Sequence, residues 1–262
     1  MQTLKAYLCS YLNQLTSYFL NLSKSCAMSE TKDHTIHDIM ISFREMASLI
    51  LNQLTLLEKM RESTSEADLN EIAALMEENE NRIDNYEVVI GEEFANAIAL
   101  PHTMAHDIHR LVAIYRMTLN LERISDCIMN LTKIVSEIHL SSEYISVTPL
   151  IGEMLASGTV MVEKAILSFI NADPDFAIWT IRNDSVVDEM NRKLLTGHLR
   201  KTDLDSRTHD MVLNYLELKE MISNIERIAD HATNIAEASI YALQGTDVRH
   251  TGFGKEQGDK KN

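Results

Sequence analysis

The sequence predicts an all-α protein made of two similar three-helix bundles, preceded by an extra amphipathic helix. Three observations lead there. The 262-residue chain holds only three prolines and eight glycines, four of those glycines lie at or beyond position 245, and no stretch of useful length alternates like a strand. Its apolar residues recur instead at three- and four-residue steps. Finally, one twelve-residue stretch is written twice: LNLERISDCIMN from Leu119 to Asn130 and SNIERIADHATN from Ser223 to Asn234, offset by 104 residues. A repeat at fixed offset marks a duplicated unit.

Taken in order, the chain divides into an amino-terminal extension over residues 1–29, a first unit over 30–142, a second over 143–245 and a flexible tail over 246–262. Residues 6–23 carry no charge, and Leu4, Leu8, Leu12, Leu15, Phe19 and Leu22 form one apolar helical stripe. Asn13, Gln14, Thr16, Ser17 and Asn21 make that segment too polar to span a membrane, and it lacks the strongly basic start of a secretory signal, so it reads as a docking helix. Met28 is an alternative start. The first unit then offers helices from about His34 to Met60, from about Ala67 into the Glu92 region, and from Pro101, a first-turn proline, to about His139. In the second unit Ser141 to Thr148 reads as a loop, Pro149 opens a helix to about Ile170, and Asp173-Pro174 caps and opens the next. Thr202 to Ser206 is a turn, the last helix reaches about Leu243, Gly245 stops it, and the tail is expected to fray.

Charge and cysteines narrow the partners. The net charge of −15 has no basic stripe able to neutralise a phosphate backbone, which argues against nucleic acid and for cations or basic protein surfaces. Cys9, Cys26 and Cys127 are odd in number and lack CxxC spacing, which fits a reducing cytoplasm rather than a disulfide framework.

The repeat carries acids in pairs. Glu122 and Asp126 match Glu226 and Asp230, and upstream Glu80 and Asp84 match Asp184 and Asp188, all at the same offset of 104. On a helix, residues four apart share a face with their Cβ atoms about 6 Å apart, and like charges so placed repel. Leu121, Ile124, Ile128, Leu131 and Val135 form the buried stripe, which places Glu122, Asp126 and Asn130 about 100° away from it, flanking the core. If the second and third helices of a unit bring these flanks together, each unit gains a patch of four carboxylates. Such patches suit Mg, Mn, Fe or Zn, often more than one ion per patch. The competing reading is a solvated acidic face, neutralised by Arg123 and Arg227.

These same residues carry a family resemblance. LERISDCIMN and IERIADHATNIAEASIYALQGTDVRH closely resemble the repeated ERIGDHAxNIAE-type signature and the GxxVRH ending of the PhoU family of phosphate-uptake regulators, and Pro101 to Arg110 looks like that family's lead into its third helix. The resemblance covers roughly residues 30–250. It implies a cytoplasmic regulator with no catalytic turnover, whose acid-x-x-x-acid motifs bind multinuclear metal clusters. In this chain those motifs are Glu80 with Asp84, Glu122 with Asp126, Asp184 with Asp188, and Glu226 with Asp230. It also implies negative control of high-affinity phosphate uptake through the ABC phosphate transporter and its sensor histidine kinase. Ser125 and Cys127 stand where the signature usually has Gly and His or Tyr, and Lys133 where it has an acid, so the first patch is expected to hold metal less fully than the second.

Other features point elsewhere only weakly. His102, His106 and His109 share a helix face at ligand-like spacing, but no carboxylate or cysteine completes a zinc set. His231 is expected to pack or support rather than ligate, and Cys127 to be a buried free thiol. No glutamate has a histidine three positions on, which disfavours a di-iron carboxylate enzyme. An accessory domain of a sodium/phosphate cotransporter is a further alternative; it would have to dock, with Leu8 to Leu22 as the docking segment. A homodimer through exposed apolar stripes and bound inorganic phosphate complete the expectations.

Overall fold

The computed structural model describes residues 35–63, 65–100, 105–138, 142–199, 208–249 and 251. The amino-terminal helix expected before residue 30, Pro101, His102 and the turn at Thr202 to Ser206 lie outside the described residues. Among those described there are six helices and no strand: α1 (residues 35–62), α2 (Glu66–Ala99), α3 (Ala105–Ile138), α4 (Ser142–Ile170), α5 (Pro174–Leu199) and α6 (Thr208–Gln244).

Helix α1 buries Ile36, Ile39, Phe43, Met46, Ile50, Leu54 and Leu57 along one stripe, each worth about 1.5–3 kcal/mol when fully withdrawn from water. Ser65 caps α2, its hydroxyl accepting from the Asp68 amide at 3.4 Å. Helix α2 runs past the expected end near Glu92 to Ala99, because Phe94 stacks on Tyr115 of α3 (4.6 Å between centroids) and Ala97 is buried. It buries Met76, Ile83, Ile90 and Ala97, a strict seven-residue seam of the coiled-coil kind. Offset by 104 from Met76, Ile83 and Ile90, Thr180, Val187 and Leu194 are likewise buried on α5, so the duplication extends to the packing seams.

Helix α4 corrects the expected loop: it starts at Ser142, and Pro149 sits inside it. An interior proline removes one backbone hydrogen bond, here to the Ile145 carbonyl, and costs about 3 kcal/mol. Burial of Ile151, Met154, Leu155, Met161, Val162 and Ile166 farther along the helix outweighs that local loss. The link to α5 is a helix-terminating turn in which the Asp173 amide donates to the Ser168 carbonyl at 2.9 Å and the Ala172 amide to Phe169 at 3.3 Å. Ala172 adopts φ +54° to make it. Asp173 then caps α5, accepting from the Asp175 amide at 3.0 Å, as its place before Pro174 predicts.

Helix α6 is the hub, packing against α3, α4 and α5. Within the units α2 packs on α3, and α4 packs on α5. Helix α1 joins α2 through Asn52, whose Oδ1 accepts from Asn79 at 2.9 Å, and meets α4 through an edge-to-face Phe43–Phe169 pair at 5.4 Å. On the second unit Lys164 lies over the rings of Phe176 (4.7 Å) and Trp179 (4.8 Å).

Gly245 ends α6 with φ +68°, its amide donating to the Tyr241 carbonyl at 2.9 Å. The residues just beyond it do not fray as expected. Val248 is buried, Asp247 chelates Arg249 through both carboxylate oxygens, and the Thr251 amide donates back to Val248 at 3.3 Å. Burial of Val248 against the core acts with these hydrogen bonds to hold the turn.

The two left-handed positions give a test with opposite signs. Replacing Ala172 with Gly relieves a left-handed alanine and is expected to stabilise by up to about 1 kcal/mol, while Gly245→Ala is expected to destabilise by about 1–2 kcal/mol. The Cβ added at Gly245 also meets His109 Nδ1 at 3.0 Å. Urea unfolding of both variants measures the pair; equal effects, or effects of one sign, contradict the assignment.

Candidate functional site

The core stripe of α3 is buried as its periodicity predicts, with Leu121, Ile124, Ile128, Leu131 and Val135 all at or below 2 % exposure. That burial fixes the rotation of the helix and leaves Glu122 half-buried and Asp126 exposed on its flank. Helix α6 repeats the arrangement: Ile225, Ile228 and Ile235 are buried, Glu226 is half-buried and Asp230 exposed. Glu80 and Asp184 are half-buried on α2 and α5, with Asp84 and Asp188 exposed one turn on.

The structure brings both quartets together electrostatically. Burial pushes Glu122 up to about 7, reinforced by Asp126, Glu87 and Asp84. Glu80 is also raised, by burial first and less by Asp84 and Asp126, against the lowering effect of hydrogen bonds from Ser125 and Gln53. In the second unit Asp230 is pushed up to about 6: although the residue as a whole is exposed, the protein packed around its carboxyl displaces water there, and Asp184, Glu226 and Asp188 add to the rise. Glu226 is raised by burial and then by Asp188 and Asp184. Each carboxyl holds its proton more tightly because desolvation and its neighbours both oppose the charge.

Neutral donors hold these acids, and sequence reasoning missed them. Gln53, a polar break in the apolar stripe of α1, is fully buried; its amide donates to Glu80 Oε2 at 3.2 Å. The buried Ser125 hydroxyl lies within hydrogen-bonding reach of Glu80 Oε2 and, at 2.7 Å, of Gln53 Oε1. The serine that departs from the signature thus ties three helices to the first patch. In the second unit Asn191 donates to Glu226 Oε2 at 2.6 Å and Thr233 to Asp184 Oδ1 at 3.2 Å. The signal for Gln53 was its place on a buried face; nothing in the local sequence marks Asn191.

Arg123 and Arg227 are exposed, and among the described residues neither forms an ion pair with the acids. Both line a groove of ≈ 660 Å³ at the α3–α6 seam, together with Glu122, Asp126, Asp230 and His231. His231 is half-buried, its Nδ1 lies 3.0 Å from Asn120 Oδ1 of α3, and burial beside both arginines pulls its pKa down to about 4. That contact makes Nδ1–H the donor and His231 a cross-seam strut, as its phase on the helix implies. The position equivalent to His231 in the first copy is Cys127, a buried free thiol, and the Oδ1 of Asn224, equivalent to Asn120, is buried with no hydrogen-bond partner. His106 is exposed, while His109 packs against Tyr241 at 4.9 Å. The two do not form a ligand set.

Among the described residues no three His, Cys, Asp or Glu side chains stand close enough to hold a metal ion. The donor chemistry nevertheless suits a hard cation, since each patch carries four carboxylates and, among the described residues, no arginine pairs with them directly, the Arg123 charge only partly offsetting the rise at Glu122. Asp84, Asp126, Asp188 and Asp230 are exposed and can change rotamer.

These shifts set opposing pH dependences for chelated protein. Glu122 has a raised folded pKa, so its contribution is complete below the unfolded value near 4.3 and is lost as pH rises through about 7. His231 has a depressed one, so its contribution is present above about 6.5 and is lost as pH falls toward about 4. Thermal midpoints are therefore expected to rise from pH 8 to about 6.5, with His231 opposing any further rise below that. Glu122→Gln should flatten the upper limb and His231→Gln the opposing one; upper limbs identical in parent and Glu122→Gln protein would contradict the assignment.

Comparison with known proteins places this arrangement. The family model described as PhoU domain matches residues 43–135 and again 151–239. A phosphate-specific transport system accessory protein PhoU homolog from Burkholderia sp is 30% identical over 85% of this chain and 93% of its own length, and one from Pseudomonas aeruginosa is 29% identical over 73% and 78%. These relatives carry the names of accessory proteins, not enzymes. In fold, the crystal structure of PhoU from Pseudomonas aeruginosa superimposes with a TM-score of 0.69 at 24% identity over 82% of this chain and 99% of that one. The phosphate transport system regulatory protein PhoU from Streptococcus pneumoniae follows at 0.66 and 21%, over 83% and 99%. With the domain present twice and a relative aligned over nearly its full length, the chain belongs to the PhoU family.

Proposed function

We propose that this protein is a metal-binding regulator of inorganic phosphate uptake and phosphate signalling, working in the cytoplasm without catalytic turnover. It acts negatively, through contacts with an ABC phosphate transporter and its sensor histidine kinase. The family and the accessory role in the relatives' names support the phosphate connection. No described helix is long and apolar enough to cross a membrane, so contact with the transporter is by docking. A homodimer through apolar surface left exposed is part of this reading.

The observation that carries the metal reading is the pair of repeat-related carboxylate quartets, in which Glu80, Glu122, Glu226 and Asp230 are raised by burial and, beyond that, by the acids beside them. A structural surface gains nothing by repeating such repulsion in both units, whereas a multivalent cation converts it into attraction. Glu80, Asp84, Glu122 and Asp126 would hold one cluster, of Fe, Zn, Mn or Mg, and Asp184, Asp188, Glu226 and Asp230 the other. When bound, such ions supply positive charge and open positions for anions, inorganic phosphate among them.

Elemental analysis of protein purified without chelator tests this directly. The parent is expected to carry metal, and the Glu226→Ala, Asp230→Ala double variant to lose one cluster's worth while keeping its helical circular dichroism. A parent that holds no metal, and takes none up on dialysis against Fe, Zn, Mn or Mg, refutes the metal reading and leaves regulation to partner contacts alone.

A further inference from the structure

At a distance along α3 from the acidic quartet, the first turns of α1 and α3 leave a recess of ≈ 320 Å³ lined by Ile36, His37, Met40, Ile41, Arg44, Asp107 and Arg110. Its chemistry opposes that of the rest of the molecule. In a chain of net charge −15, two guanidinium groups and an imidazole line this recess with a single carboxylate. The arrangement follows from helical spacing. His37, Ile41 and Arg44 stand at i, i+4 and i+7 along one face of α1, and Asp107 and Arg110 at i and i+3 on α3.

Asp107 has an interaction of its own, whereas among the described residues no hydrogen bond or ion pair engages His37, Arg44 or Arg110. The wall between the charges is apolar: Ile36 and Met40 are each 8 % exposed, and Ile41, at 48 %, stands at the rim. The volume equals roughly ten waters at about 30 Å³ each, at the lower end of the range for small-molecule sites.

We propose that this recess binds a small organic oxyanion, a phosphate-ester or carboxylate group carried on an apolar body. Arginine presents its donors as a planar fork that matches such oxygens in pairs, and two forks with an imidazole donor match an anion of this kind. Ile36, Met40 and Ile41 receive the body of the ligand. A membrane surface fits less well, because a protein of net charge −15 is repelled from anionic lipid and the cationic groups line a recess rather than a flat face. The site is independent of the metal reading, since none of its residues belongs to either quartet.

Calorimetric titration with phenyl phosphate, beside inorganic phosphate for the headgroup alone, tests the proposal on chelated full-length protein. Phenyl phosphate is expected to bind with a Kd below about 1 mM, and inorganic phosphate more weakly. The Arg44→Ala, Arg110→Ala double variant should weaken phenyl phosphate at least about tenfold. Ile41→Glu, which sets a carboxylate at the rim without removing either arginine, should weaken it as well and guards against misfolding of the double variant. No binding in the millimolar range, or binding unchanged in both variants, overturns the proposal. So does loss of binding to phosphatidylglycerol vesicles in the same variants when phenyl phosphate fails to bind the parent, an outcome that would assign the recess to lipid instead.

Discussion

The packing of α3 against α6 joins the two bundles and decides where every charged group of the signature can go. Helix α6 must also meet α4 and α5, so most of its circumference is buried, and Ala229, Ala232, Ala236, Ala238 and Ala242 alternate with isoleucines to let neighbours approach. What remains is a narrow outer strip bearing Glu226, Arg227, Asp230 and Asn234. On α3 the same logic confines Glu122, Arg123 and Asp126 to the matching strip. The duplication thus lays two copies of one polar strip along a shared seam.

The electrostatics follow from that confinement. Half-burial removes water from carboxylates that already repel one another, and the groups supplied to steady them, Ser125, Gln53, Asn191 and Thr233, carry no charge. Neutral donors orient an acid without cancelling its field. Arg123 and Arg227 line the groove at the seam with His231, where burial first and their charges second hold the imidazole unprotonated. In this way the molecule keeps negative potential on the flanks and a neutral hydrogen bond between Asn120 and His231 in the joint.

Much of this was legible in the sequence because it is periodic. The stripe from Leu121 to Val135, the flanking acids, the Asp173-Pro174 cap and the stop at Gly245 each depend on residues within two turns of one another, and local pattern determines them. Long-range compensation was not legible. Pro149 looks like a helix start until the packing of the remainder of α4 is known, and Val248 looks like tail until its burial is seen. Ser125 reads as a departure from the signature, and only the approach of Gln53 from α1 shows it to be a tether for Glu80. The electrostatic coupling between acids of different helices likewise depends on how those helices cross, which no single helix's spacing encodes.

The lysine-capped aromatic pair on α5 also gives the molecule an optical asymmetry. Its two halves are near copies in architecture, yet the chain has one tryptophan, Trp179, and it lies in the second, half-buried beneath Lys164 and against the core. Indole emission therefore follows the solvent and quenching environment of that half alone, while tyrosines such as Tyr86 and Tyr115 lie in the other. A duplicated fold whose halves would be hard to distinguish by circular dichroism thus carries a natural label that tells whether they come apart together or in turn.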